Sequence, residues 1–256
     1  MIKLIINADD FGKSKEINLA IMEAMDLNLC KDTTLLVNFE DSLHAAELAI
    51  QKNSKNNVGV HLNLAEGYPL TDDIKKEKLF CNDDGLFHYK KDKRILRLTT
   101  SEKKAIYIEL RSQINLCRKY GIPISHADSH GHIHEEPGML KIIMNIVKQE
   151  KIPFLRIAQN LAKSSSYKAL YRNFCNSYIS LNNLAASKYF GSTSDYYIAK
   201  DRLKPNSVVE LMIHPGTIID NQIYDVYSKE NLSAQLPKIL RDNNLTSYRM
   251  LKLKYF

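Results

Sequence analysis

Leu4-Ile5-Ile6-Asn7-Ala8-Asp9-Asp10-Phe11-Gly12 sets three consecutive apolar residues against two adjacent carboxylates and a closing glycine. The run reads as a short strand buried on both faces. In a parallel α/β fold the loops at the carboxyl ends of the strands carry the chemistry, so Asp9 and Asp10 stand where metal ligands or acid–base groups are found. Alternatively, the pair caps the turn or helix that follows. Strand neighbours point to opposite faces, so both carboxylates serve one site only if the chain leaves its extended form there. Gly12 permits that turn.

Outward from this strand the pattern alternates. Ser14 is an N-cap for a helix whose apolar positions Ile17, Ile21, Ala24 and Met25 recur at helical spacing. Thr33 to Asn38 reads as the next strand, Ser42 to Gln51 as an amphipathic helix, and Val58 to Leu64 as a third strand carrying His61 near its end. Such alternation predicts parallel pairing with right-handed crossovers. The rhythm breaks from about 65 to 100, a stretch rich in Lys and Asp and punctuated by Gly67, Pro69 and Gly85. We expect it to lie as an insertion over the strand ends of a single domain spanning 1–256. Helical spacing returns from Ser101 through Arg118 and from Pro137 to Glu150, and Phe154 to Ile157 reads as a short strand. The closing part, Asn231 to Phe256, reads as a helix and a strand with no chemistry attached.

A second informative stretch is Ile124-Ser125-His126-Ala127-Asp128-Ser129-His130-Gly131-His132-Ile133-His134. It holds four of the eight histidines and an aspartate within eleven residues, directly after a short strand. Neutral imidazole is a good ligand for a divalent metal, and a neighbouring carboxylate commonly orients it through the second ring nitrogen. Asp128 is the residue expected in that orienting role, while the spacing leaves open which imidazoles bind. A third strand end is Val208-Val209-Glu210-Leu211-Met212-Ile213-His214, held by Pro215 and Gly216. Arg156 either reaches the site or pairs on the surface. The tyrosines between Asn160 and Lys200 are either platforms for sugar rings or half-buried core residues.

Composition bounds the function classes. The 256 residues are 44% hydrophobic and 25% charged, with no apolar run near the ~20 residues a membrane span needs. Met1-Ile2-Lys3 leads straight into the first strand, leaving no room for a signal segment, so a cytoplasmic location is expected. Cys30, Cys81, Cys117 and Cys175 lie far apart and form no CxxC pair, which points to reduced thiols. The net charge of +7 is spread over runs such as Lys90-Lys91-Asp92-Lys93-Arg94, read as a solvated face. No nucleic-acid-binding motif accompanies them.

Asn7-Ala8-Asp9-Asp10-Phe11-Gly12, Gly59-Val60-His61-Leu62, Asp128-Ser129-His130-Gly131-His132-Ile133-His134 and Met212-Ile213-His214-Pro215 together resemble the YdjC family of carbohydrate deacetylases, in the same order from Leu4 through Gly216. The resemblance implies a distorted (β/α) barrel related to the polysaccharide deacetylase fold, and metal-dependent hydrolysis of the N-acetyl group of an amino sugar. It implies Asp10, His61 and His130 as metal ligands, Asp9 as general base, His214 as general acid, and a homodimer. Asp9 and Asp10 could exchange roles. His132 and His134 are expected as substitute ligands or substrate contacts, with Arg156 also on the substrate side. The resemblance implies Mg as the divalent ion, whereas two imidazoles and one carboxylate suit Zn, Fe or Ni on ligand softness. Two other classes compete: a metal-dependent phosphoester hydrolase, which the basic charge favours, and a barrel that binds carbohydrate without catalysis.

Overall fold

In the computed structural model the described residues are 1–89, 95–162 and 165–255, with 253–255 described by backbone alone. The basic run at 90–94, read as a solvated face, lies outside them. In chain order the elements are β1 (Lys3–Phe11), α1 (Lys15–Asp26), β2 (Asp32–Leu35), α2 (Ser42–Gln51), β3 (Val58–Leu62) and α3 (Asp72–Lys75). Then come α4 (Thr100–Lys119), β4 (Ala127–Ser129), α5 (Leu140–Gln149), α6 (Ser166–Leu181), β5 (Tyr189–Ser192) and α7 (Thr193–Ala199). The chain ends with β6 (Val208–Ile213), β7 (Pro215–Ile219), β8 (Gln222–Asp225), α8 (Leu232–Leu240), β9 (Asn244–Thr246) and α9 (Tyr248–Tyr255).

The main sheet runs β4-β3-β2-β1-β6-β5, every pair parallel. β1 is its centre: β6 takes one edge, while β9 pairs with Lys3–Ile5 and β2 with Asn7–Phe11 along the other. Enclosure on both faces is why its first half carries the continuous apolar run Leu4-Ile5-Ile6. Local signals start the helices as read: the Ser14 hydroxyl accepts from the Ile17 amide, and Thr99 and Glu102 form a reciprocal capping box on α4.

The sheet curls into a distorted barrel, and residues 154–161 close the gap between β4 and β5. Ala127 donates its amide to the Phe154 carbonyl and accepts from Arg156 N, each at 2.9 Å. Further along, the amides of Asn160 and Leu161 both donate to the Phe190 carbonyl. The strand expected at Phe154 to Ile157 is therefore corrected to a single bridge, Ala127 with Leu155. The segment changes partner from β4 to β5 too soon to build a ladder.

Side-chain alternation along β1 sends Leu4, Ile6 and Ala8 into the main core under the helices. Ile5 instead packs with Phe154, Tyr248 and Leu251, closing the barrel floor. Asn7 and Asp9 continue the Ile5 face upward, so the barrel interior turns polar towards the strand ends.

The segment expected as an insertion folds onto α4, where the buried Glu109 carboxylate accepts the amides of Leu70 and Thr71. The antiparallel β7–β8 hairpin was not expected from the sequence, and α9 follows the anticipated closing helix and strand. No helix among the described residues is long and apolar enough to cross a membrane.

Candidate active site

The end of β1 supplies two carboxylates to one cavity by breaking its own alternation. Asp9 faces the barrel interior in register with Asn7. Asp10 takes φ +71, and the pairing with β2 slips between Ala8 and Phe11. Aspartate tolerates the left-handed region better than most residues. The departure from extended structure falls on Asp10 itself, and Gly12 (φ +100) then turns the chain away, where a Cβ would lie 2.5 Å from the Leu36 carbonyl oxygen. Asp9, Asp10, His61, Glu66, His130 and His214 all border a cavity of about 370 Å³.

Asp10, His61 and His130 each bring a donor atom to within 4.8 Å of the other two. Asp10 Oδ1 lies 2.9 Å from His130 Nδ1 and 3.4 Å from His61 Nε2. His61 turns this nitrogen inward because its Nδ1 is held 2.6 Å from Asp128 Oδ1, the orienting contact anticipated for Asp128. Burial opposes ionisation of Asp10, yet the hydrogen bonds from His130 and His61 hold its carboxyl well below the usual range. Burial likewise disfavours the charged form of His61, but Asp128 and Asp10 outweigh it and raise its pKa to about 10. His130 moves upward through Asp10 and Glu66, again against burial. One carboxylate and two imidazoles on a cavity wall fit a divalent cation and leave positions open for other ligands. A second grouping, Asp9, His61 and Asp128, is wholly buried and already faces the Arg156 guanidinium. A cation there would be repelled.

Asp9 is clamped from inside the barrel. Arg156 donates from Nη1 to Oδ2 at 2.6 Å and from Nη2 to Oδ1 at 2.7 Å, and Asn7 Nδ2 donates to Oδ1 at 2.8 Å. Although burial pushes the Asp9 pKa up, Arg156 more than offsets it, so the group stays ionised. His214 Nε2 stands 4.0 Å from Asp9 Oδ2, with its Nδ1 3.5 Å from Asp225 Oδ2. The same Asp225 oxygen accepts the His214 backbone amide at 2.7 Å. His214 is shifted upward, burial being outweighed by Asp225 and Asp9.

Two expectations are corrected. Arg156 was expected on the substrate side but is fully buried, its guanidinium shared among Asp9, Asp128 and Glu210, so it cannot touch a molecule in the cavity. His134 is likewise fully buried, with Nδ1 2.6 Å from Ser129 Oγ, and does not border the cavity. His132 does border it, at φ +56 beside Gly131 (φ +61). The sequence reading also missed Glu66, 3.1 Å from His130 Nε2, and Tyr227, whose hydroxyl donates to Asp10 Oδ2 at 2.8 Å. Glu66 sits in the stretch taken as an insertion, and Tyr227 follows the unexpected hairpin. The buried acid Glu210 carried a usable signal, being the one charge inside an apolar strand.

Fold and site together define a distorted α/β barrel with a cation-type donor set at its strand ends. The chain belongs to the YdjC-like protein family, whose model matches residues 3–250. It is 32% identical over 251 residues to a Clostridium beijerinckii carbohydrate deacetylase, covering 98% of this chain and 94% of that protein. A Brevibacillus brevis carbohydrate deacetylase is 35% identical over 151 residues, 59% of this chain and 58% of that protein. Among solved structures, an Enterococcus faecalis protein named as a candidate for cellobiose-phosphate cleavage superposes with a TM-score of 0.72 at 21% identity, covering 97% of this chain and 98% of its own. That likeness supports the fold.

Proposed function

We propose that this protein hydrolyses the N-acetyl group of an amino sugar, free or within a short oligosaccharide, releasing acetate. The observation that carries the reading is the placement of an ionised Asp9 4.0 Å from His214, both on the cavity that Asp10, His61 and His130 border. The family and its relatives named carbohydrate deacetylases supply the substrate class.

Asp10, His61 and His130 would hold a divalent cation, which when bound supplies Lewis-acid polarisation of the acetyl group and of the attacking water. Asp9 takes the water proton as the new C–O bond forms, and Arg156 keeps both carboxylate oxygens aimed while it does so. His214, protonated, gives the proton from Nε2 to the amine nitrogen as the C–N bond breaks. Asp225 stabilises that protonated ring from the Nδ1 side. Water adds across the amide, leaving acetate and a free amine. His132 contacts the sugar from the cavity rim.

Two imidazoles favour Zn or another transition ion over Mg at this site. A cytoplasmic location fits the four cysteines, all free and buried. A homodimer belongs to the reading on family resemblance. A two-metal phosphoesterase is disfavoured because the second donor grouping is occupied by Arg156. The test is acetate release from N-acetylglucosamine oligosaccharides beside phosphate release from sugar phosphates. Acetate alone is expected, and phosphate alone would overturn the proposal.

A further inference from the structure

The two oxygens of Asp10 have different partners. Oδ1 faces His130 Nδ1 and His61 Nε2, at 2.9 and 3.4 Å. Oδ2 accepts the Tyr227 hydroxyl at 2.8 Å. The direction of that hydroxyl is fixed by chemistry. Lys13 Nζ lies 3.4 Å from the Tyr227 oxygen, and an ammonium can only donate, while an ionised carboxylate can only accept. The hydroxyl hydrogen therefore points to Asp10.

Tyr227 is also held in place from behind. Asp225 Oδ1 accepts the backbone amides of Tyr227 and Ser228, at 3.0 and 2.9 Å, while Oδ2 accepts that of His214. One carboxylate thus fixes the spacing of Tyr227 and His214, whose rings meet edge to face at 4.7 Å and 88°. Tyr227 is 55% exposed, so burial of its ring does little for the fold. What remains is the polar tip, turned inward.

We propose that Tyr227 is a positioning residue that caps Oδ2 of Asp10 and limits this carboxylate to one oxygen donated towards the cation. The inference rests on the reading of Asp10, His61 and His130 as cation ligands. Its consequence is a site with three protein donors, in which a carboxylate free to rotate would no longer keep Oδ1 aimed at the cation. Hydrogen-bond partners that orient metal ligands typically change affinity about 10–100-fold when removed.

The test is titration of Zn²⁺ against a competing chelator into metal-free wild type, Tyr227→Phe and Tyr227→Leu. The Phe variant loses the hydroxyl and keeps the ring on His214, whereas the Leu variant loses both. We expect both to bind Zn²⁺ about tenfold more weakly than wild type, with thermal melts of the metal-free proteins unchanged. A Phe variant within twofold of wild type would overturn the inference and leave the ligand reading standing. Weakening in the Leu variant alone would also overturn it, by assigning the effect to the ring. A wild type that binds no Zn²⁺ would remove the ligand reading itself, and the inference with it.

Discussion

Arg156 grips Asp9 through two nearly equal hydrogen bonds, at 2.6 and 2.7 Å, with the guanidinium wholly buried behind the carboxylate that borders the cavity. The same guanidinium meets Asp128 at 2.7 Å and Glu210 at 2.6 Å. One cation thus holds three carboxylates inside a barrel. Removing one partner of a buried ion pair leaves uncompensated charge, at a cost of roughly 3–5 kcal/mol. Arg156→Met should lose that much stability in urea denaturation. A loss below about 1 kcal/mol would show that the carboxylates find other partners.

Gly12 turns the chain away once Asp10 has left the strand. With φ at +100 and the Leu36 carbonyl oxygen 2.5 Å from a built Cβ, Gly12→Ala suffers both backbone strain and a clash with backbone. We expect a loss of more than about 1 kcal/mol. For a chain of this size that is about 2–4 °C in thermal midpoint for each kcal/mol. An unchanged midpoint would contradict the geometry of this turn.

Cation binding should compete with protons. In the metal-free protein Asp128 and Asp10 hold the His61 pKa up at about 10, so this imidazole carries a proton at neutral pH, and Asp10 and Glu66 shift His130 in the same direction. Only neutral imidazole ligates, so binding must release the His61 proton, and affinity should rise with pH. Stability of the metal-free protein runs the other way. A histidine whose folded pKa is raised contributes fully below its unfolded value of 6.5, and for His61 that contribution is lost as pH climbs through about 10. Calorimetric titration of Zn²⁺ in buffers of different ionisation enthalpy reads the released protons. Equal affinity at pH 6 and pH 8 would contradict this account.

Ligand and catalyst should separate by mutation. His130→Ala is expected to lose cation and turnover together. His214→Ala should keep the cation and lose roughly 10²–10⁴-fold in kcat, the usual worth of a general acid. Asp9→Asn should resemble His214→Ala. If Asp9→Asn loses the cation instead, Asp9 and Asp10 have exchanged roles. Paired measurements of bound metal and kcat distinguish these outcomes.

The sequence carried the parts of the fold that depend on local pattern. Apolar runs placed β1, β3 and β6, Ser14 placed the start of α1, and three strand ends located Asp9, Asp10, His61 and His214. Phe154 to Ile157 were misread as a strand because the hydrogen bonds of residues 154–161 pass from β4 to β5, a choice that no local periodicity records. Arg156 was misplaced for the same reason: its counter-charges are far away in sequence and meet it only inside the closed barrel. Asp225 ends an irregular hairpin and Tyr227 follows it, among polar residues that resemble any surface loop. Their contacts with His214 and Asp10 exist only after folding.

The most direct measurement strips the protein with chelator and returns one divalent metal stepwise, following bound metal and acetate release from an N-acetylglucosamine oligosaccharide in the same samples. The account predicts that stripping abolishes release and that activity returns in proportion to metal bound, levelling at one ion per chain. Release that survives complete stripping, or that ignores occupancy of the Asp10–His61–His130 site, would contradict it.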